Sequence, residues 1–133
     1  MTRSMRVRDY MSKDLLTFIP EMEILRAGHL LVAHDISGAP VLDKQKILVG
    51  MLTERDCMRV AIQAEYHGMP GGLVGGYMSV NPQAVDPEES ILKVADLFVE
   101  GRYHRYPVLE NGSLVGVISR RDVMRAMGEF YPL

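Results

Sequence analysis

The sequence predicts an α+β fold of two tandem β-α-β-β-α units, and three observations carry that expectation. A long block of residues occurs twice in register. Each copy runs through extended and helical patterns in the same order. Between two extended runs of the second copy lies Asn111-Gly112, the strongest short hairpin signal.

The repeat is plain in the residues. Val7-Arg8-Asp9-Tyr10-Met11-Ser12 returns as Val74-Gly75-Gly76-Tyr77-Met78-Ser79, Pro20-Glu21 as Pro87-Glu88, and Ile24-Leu25 as Ile91-Leu92. At the same offset Pro40-Val41-Leu42 falls on Pro107-Val108-Leu109. After a contraction of one residue, Val49-Gly50 falls on Val115-Gly116, Arg55-Asp56 on Arg121-Asp122, and Met58-Arg59 on Met124-Arg125. The expected units are 7–64 and 77–128, joined by a glycine-rich linker over 65–76 that carries Gly68, Gly71, Gly72, Gly75, Gly76 and Pro70. No strand precedes that linker and no Gly-Lys-Ser/Thr follows, so it reads as a connector rather than a phosphate loop.

Each element has a local reason. Leu16 to Ile19 and Gln83 to Val85 are extended segments closed by Pro20 and Pro87. Helices are expected from about Glu21 to His34 and from Ser90 or Glu89 onward, where apolar residues recur at helical spacing. Ala39 to Leu42, Leu48 to Leu52, Tyr106 to Leu109 and Leu114 to Ile118 are apolar, β-branched-rich runs suited to strands. Final helices are expected over Thr53 to Ala64 and Ser119 to Met127. One unit alone has too little core to cover its sheet, and two related copies pack most simply about a pseudo-twofold axis, with a cleft on each side.

Composition narrows the function. Lys and Arg number 15 against 17 Asp and Glu, a net charge of −2, which leaves no basic footprint for nucleic acid. Cys57 is the only cysteine, so neither an internal disulfide nor a cysteine zinc site is expected. His29, His34 and His67 follow no metal-ligand pattern, and no metal is expected. Met1 to Met11 is charged and has no apolar run, so it does not read as a signal peptide. No stretch of 18 apolar residues suggests a membrane span, and the expectation is a soluble cytoplasmic protein.

The strongest chemical motif stands where strand turns into helix: Gly50-Met51-Leu52-Thr53-Glu54-Arg55-Asp56 and Gly116-Val117-Ile118-Ser119-Arg120-Arg121-Asp122. A hydroxyl three residues before a carboxylate is a shortened capping box. The same arrangement suits a ligand, since a helix start attracts phosphate and an ionised aspartate accepts from ribose hydroxyls. Capping and binding are compatible.

Gly-x-x-Thr/Ser-x-x-Asp after a Pro-Val-Leu strand, twice, with Tyr-Met-Ser lead-ins, resembles the CBS domain, and the likeness runs from about Val7 to Met127. The resemblance implies a CBS pair, or Bateman module: a non-catalytic unit that binds adenosine-containing ligands (AMP, ADP, ATP, S-adenosylmethionine or dinucleotides), dimerises and regulates a partner. It implies one cleft of Thr53, Arg55 and Asp56 with Ala84, Val85, His104 and Arg105. It implies a second of Ser119, Arg121 and Asp122 with Thr17, Ser37, Gly38 and Ala39. His104-Arg105 resembles a phosphate-directed pair, whereas Ser37-Gly38-Ala39 brings no charge, so a phosphorylated ligand is expected in the first cleft.

Plainer readings stand beside these. His104 and Arg105 also fit exposed polar residues at a strand entrance, Arg55, Arg120 and Arg121 a solvated surface, and the ten methionines core and dimer packing. The tail Phe130-Tyr131-Pro132-Leu133 suits either a dimer interface or a partner. A dimerising scaffold with vestigial clefts is the alternative function. An enzyme is not expected, because no nucleophile set is evident and Asp56 and Asp122 belong to opposite clefts.

Overall fold

The computed structural model describes residues 5–67, 71–101 and 103–132. Gly68 to Pro70 of the expected linker and Leu133 of the tail lie outside them, as do Met1 to Ser4.

The chain forms two compact units whose boundaries differ from those of the sequence repeats. One is Leu16–Pro82; the other joins Met1–Leu15 to Gln83–Leu133. Division at 7–64 and 77–128 therefore follows the repeat but not the packing. The lead-in of the first copy packs in the second copy's unit, and the lead-in of the second copy packs in the first's.

In the Leu16–Pro82 unit, α1 (Ile24–Ala33) leads to β1 (Gly38–Leu42), β2 (Leu48–Thr53) and α2 (Glu54–His67). Helix α3 (Val74–Tyr77) and β3 (Ser79–Val80) then return to the same unit, with sheet order β1-β2-β3. The expected irregular linker over 65–76 is thus shorter: α2 reaches His67, and α3 opens at Val74. The reason is docking. Val74 is fully buried, its N–H donates to the Met22 carbonyl at 2.8 Å, and that of Gly75 donates to the Pro20 carbonyl at 2.9 Å.

The other unit repeats the plan. A 3-10 turn over Val7–Asp9 supplies the lead-in, followed by α4 (Ile91–Glu100), β4 (Arg105–Glu110), β5 (Ser113–Ser119) and α5 (Arg120–Phe130). Strands β4 and β5 pair antiparallel, and Ser12 bridges Val117 as Ser79 pairs with Met51. The expected first strands shrink to single parallel bridges, Phe18 to Val41 and Val85 to Val108. The β4–β5 turn places Asn111 at φ 52° and Gly112 at φ 82°, the left-handed pair that an Asn-Gly hairpin requires.

The structure explains the Tyr-Met-Ser lead-ins. Each Tyr hydroxyl reaches the last turns of a second helix: Tyr10 donates to Glu129 at 2.5 Å, and Tyr77 donates to Gln63. Each Met lies over the glycine of the strand motif, Met11 over Gly116 and Met78 over Gly50. Each Ser joins the edge of the sheet. The apolar centres are separate, one around Phe18, Ile24, Leu31, Val41, Leu52 and Val60, the other around Val7, Ile91, Val94, Tyr106, Val108 and Ile118.

Charge also fastens the first lead-in. Glu88 accepts from Arg8 at 2.7 Å and from Arg6, and Arg8 also reaches Glu110. Arg8 first of all holds the Glu88 carboxyl below its usual range; burial acts the other way, and Arg6 adds to the lowering. A carboxyl lowered on folding stabilises above its unfolded-state pKa, and that contribution fades as pH falls through the folded value. Glu88→Gln is therefore expected to be less stable than wild type at neutral pH, with the gap closing in acid below the ordinary glutamate range and narrowing in salt. Urea titrations at several pH values check this; a gap that widens in acid would contradict it.

Candidate functional site

Both strand-to-helix junctions are capped as the motif predicts. At α5, the Ser119 hydroxyl accepts from the Asp122 N–H at 3.2 Å while Asp122 Oδ2 accepts from the Ser119 N–H at 2.9 Å. At α2, Asp56 Oδ2 accepts from the Thr53 N–H at 2.9 Å and from its hydroxyl at 3.0 Å. A carbonyl from the residue before each β-hairpin takes another helix donor: Ser37 accepts from Glu54 N–H at 2.9 Å, and His104 from Arg120 N–H at 3.1 Å. Two of the N–H groups that a helix start leaves open thus have protein partners in each unit.

The second carboxylate oxygen faces an arginine one turn on. Asp56 Oδ1 lies 3.4 Å from Arg59, and Asp122 Oδ1 lies 3.3 Å from Arg125. Neither arginine was among the expected site residues. The signal was available, since Met58-Arg59 and Met124-Arg125 repeat three residues after each Asp. The two carboxylates differ in access, with side-chain exposures of 5% for Asp56 and 18% for Asp122.

The expected clefts each draw residues from both units. Within one unit, the structure brings Ser37, Gly38 and Ala39 beside Thr53 and Asp56, with Gly38 paired to Thr53. In the other it brings His104 and Arg105 beside Ser119 and Asp122, with Arg105 paired to Ser119. Val85 lies against β4, where its N–H donates to the Pro107 carbonyl at 3.0 Å; Ala84 precedes that bridge as Thr17 precedes the matching Phe18 bridge to β1. Arg55, Arg121 and His104 are exposed.

Copy one cannot carry an arginine where copy two does. A Cβ on Gly38 would stand 2.8 Å from the Leu52 carbonyl oxygen. Arg105, at the equivalent position, is partly buried. Burial pushes its guanidinium below the ordinary arginine range, and the Asp122 carboxylate acts against that shift. Arg105 still carries its charge at neutral pH, so the Ser119–Asp122 junction has a partly buried cation at the position where the Thr53–Asp56 junction has Gly38.

Among the described residues, no group of three or more His, Cys, Asp or Glu could hold a metal ion. Among them too, no helix is long and apolar enough to cross a membrane. Burial raises the Cys57 thiol, with Asp56 and Glu54 adding to it, the opposite of an activated nucleophile.

The family model for the CBS domain matches twice, over residues 7–63 and 74–129. The chain belongs to the CBS domain family. Each match opens at a lead-in and closes in a second helix, so the family repeat is the sequence unit, whose lead-ins are exchanged on folding. Among solved structures, this CBS pair is similar to CBSX2 in complex with AMP, at 26% identity, TM-score 0.84 and coverage of 96% of this chain and 98% of that one. CBSX2 is a CBS-pair protein of Arabidopsis thaliana. The CBS domain pair of MJ0100, solved with 5'-methylthioadenosine and S-adenosyl-L-methionine, shares the fold at TM-score 0.82 and 24% identity, with coverage of 94% and 97%. CBSX1, a chloroplastic CBS domain-containing protein of Arabidopsis thaliana, is 29% identical over 90% of this chain. The chain spans 63% of the length of CBSX1 and 42% of that of MJ1225 of Methanocaldococcus jannaschii.

Proposed function

We propose that this CBS pair is a non-catalytic regulatory module that binds an adenosine-containing ligand, AMP, ADP, ATP or S-adenosylmethionine, at its hydroxyl–aspartate helix starts. The carrying observation is the duplicated junction, in which each aspartate is fixed by its own cap. A carboxylate offers about four acceptor positions; the cap uses Oδ2 and an arginine approaches Oδ1. Ribose hydroxyls have acceptors there that are already oriented. Because the Ser37 and His104 carbonyls and the cap hydroxyls take helix donors, phosphate recognition falls to side chains, Arg105 first and His104 beside it. The complex of the similar CBSX2 with AMP supports this reading.

AMP is expected to bind and to raise the melting temperature. At about 100 times its Kd, a ligand specific for the folded state adds about 2.7 kcal/mol. Arg105→Ala is expected to weaken AMP about 10- to 100-fold, the scale of a lost hydrogen bond to a charged group, and to leave adenosine nearly unchanged. Asp56→Ala and Asp122→Ala, titrated separately by calorimetry, identify the ribose acceptor, and Asp56 is expected to serve the phosphorylated ligand. A melting temperature indifferent to AMP, ATP and S-adenosylmethionine would remove the sensor reading.

A homodimer is also proposed, and one pattern supports it. Leu25 and Val32 on α1 are exposed, as are Leu92 and Val99 at the repeat-equivalent places on α4; so are Met58 and Met124 on α2 and α5. Apolar exposure repeated at equivalent positions in both copies suits a self-complementary surface. If the clefts are vestigial, a dimer without nucleotide response remains. The proposed setting is cytoplasmic, with no nucleic acid partner.

A further inference from the structure

We propose that Arg125 is a positioning residue for the Asp122 carboxylate and that it couples the state of that carboxylate to the docking of the N-terminal lead-in. The proposal deepens the sensor reading and rests on it for the ligand, but the coupling has a test of its own.

The observation is one guanidinium nitrogen with two partners. Arg125 Nη2 donates to Asp122 Oδ1 at 3.3 Å and to the Tyr10 carbonyl at 2.9 Å. The same guanidinium lies over the Tyr10 ring, 5.5 Å from its centroid. Tyr10 is 5% exposed, its hydroxyl donates to Glu129 at 2.5 Å, and its ring meets Phe130 edge-on at 6.4 Å. Hydrogen bonding to Glu129, aided by burial, raises the Tyr10 phenol, so it stays a neutral donor through the physiological range. Two residues later Ser12 exchanges backbone hydrogen bonds with Val117, at 2.9 and 3.0 Å. A continuous set of contacts therefore runs from the carboxylate proposed to take ribose hydroxyls, through Arg125, to the segment that closes the sheet edge.

Among the described residues, the other unit has a different arrangement. Arg59 reaches Asp56 at 3.4 Å, and the Tyr77 hydroxyl goes to the neutral Gln63 and to the Gly71 carbonyl. Only the first lead-in is held by an arginine that also holds a motif aspartate among the described contacts. Ligand hydroxyls arriving at Asp122 Oδ1 draw on the same acceptor as Arg125, so occupation changes how firmly Arg125 holds Tyr10. Coupling of this kind is reciprocal: loosening the lead-in changes ligand affinity by the same factor.

The test follows amide hydrogen exchange at Met11 and Ser12 in the full chain, with the central-strand Ile118 amide as the global reference. Asp122→Asn keeps a cap acceptor but removes the charge; Arg125→Met keeps the apolar stem. Each is expected to speed Met11 and Ser12 exchange about 3- to 10-fold, and the double variant no further than the worse single one. Arg125→Lys is expected to recover part of the protection, and Asp56→Asn to leave these amides as in wild type. Additive effects of Asp122→Asn and Arg125→Met, or no effect of either, would overturn the coupling. In the ligand arm the probe is S-adenosylmethionine, which has no phosphate and so suits the Asp122 helix start rather than the Asp56 one. It is expected to alter Met11 and Ser12 exchange in wild type and not in Arg125→Met. S-adenosylmethionine that binds wild type with an affinity weakened by Asp122→Ala, yet leaves both amides unchanged, also overturns it. Failure of AMP, ATP and S-adenosylmethionine all to bind refutes the sensor reading instead, while the variant cycle still decides whether Asp122 and Tyr10 are linked.

Discussion

Phe18→Ala is expected to cost about 3–5 kcal/mol, the range for removing a buried phenylalanine from a packed core. The side chain is 1% exposed and sits among Ile24, Leu31, Val41 and Leu52. Its backbone is fixed on both sides: Phe18 N–H donates to the Pro40 carbonyl at 3.0 Å, and its own carbonyl accepts from Leu42 N–H at 2.8 Å. With the main chain held, the site has little freedom to collapse onto the void, which places the cost high in the range. Val85 occupies the same bridge in the other copy, and Val85→Ala removes far less volume, for a cost of roughly 2 kcal/mol. Single domains have about 5–15 kcal/mol of stability in all, so Phe18→Ala alone brings the chain near unfolding. Urea denaturation measures both: the midpoint should fall much further for Phe18→Ala, with similar slopes. A loss below about 1 kcal/mol would mean the Phe18 pocket closes without it.

The same residues show what the sequence could tell. Phe18 and Val85 were both placed in short extended segments, because Pro20 and Pro87 bar helix just before them. That they form single bridges rather than strands depends on how long each segment runs beside β1 or β4, which no local pattern states. The Asn111-Gly112 turn was legible because its left-handed backbone is a property of the dipeptide itself. Thr53-x-x-Asp56 and Ser119-x-x-Asp122 were legible as caps for the same reason: donor and acceptor lie within one helical turn.

The exchange of lead-ins was not legible, and the cause is the repeat. Tyr10-Met11-Ser12 and Tyr77-Met78-Ser79 each fit the glycine, helix end and strand edge of either copy, so identity of pattern leaves the partner open. Chain connectivity and the detail of packing decide it, through Val7 to Glu89, Arg8 to Pro87, Val74 to Met22 and Gly75 to Pro20. The burial of Arg105 was likewise invisible, because it depends on the neighbouring strand and on the Asp122 carboxylate rather than on adjacent residues. Arg59 and Arg125 were in view as repeated residues but had no role until the free oxygen of each capping aspartate was seen to point at them.

The glycine of Gly-x-x-Thr/Ser-x-x-Asp gives the second large effect. In a ligand motif a glycine suggests close approach of a phosphate, whereas the structure makes it the seat of a lead-in. A Cβ on Gly116 would lie 2.5 Å from Met11 Sδ and 3.0 Å from the Ser12 carbonyl oxygen; on Gly50 it would lie 2.6 Å from Met78 Sδ and 2.8 Å from the Ser79 carbonyl oxygen. The thioether can swing aside, but the carbonyl cannot, since Ser12 O accepts from Val117 N–H at 3.0 Å. Gly116→Ala is therefore expected to destabilise by about 1–3 kcal/mol, the usual cost of overfilling a packed site. Met11→Ala in that background should recover part of the loss and not all of it, because the carbonyl contact remains. Gly50→Ala should cost at least as much, as its carbonyl contact is closer. Thermal melts of the three variants, with AMP titrations below their melting temperatures, separate the two accounts. Stability lost while affinity holds fits a packing glycine. Affinity lost at full stability would move this glycine from the sheet edge into the ligand's own contacts.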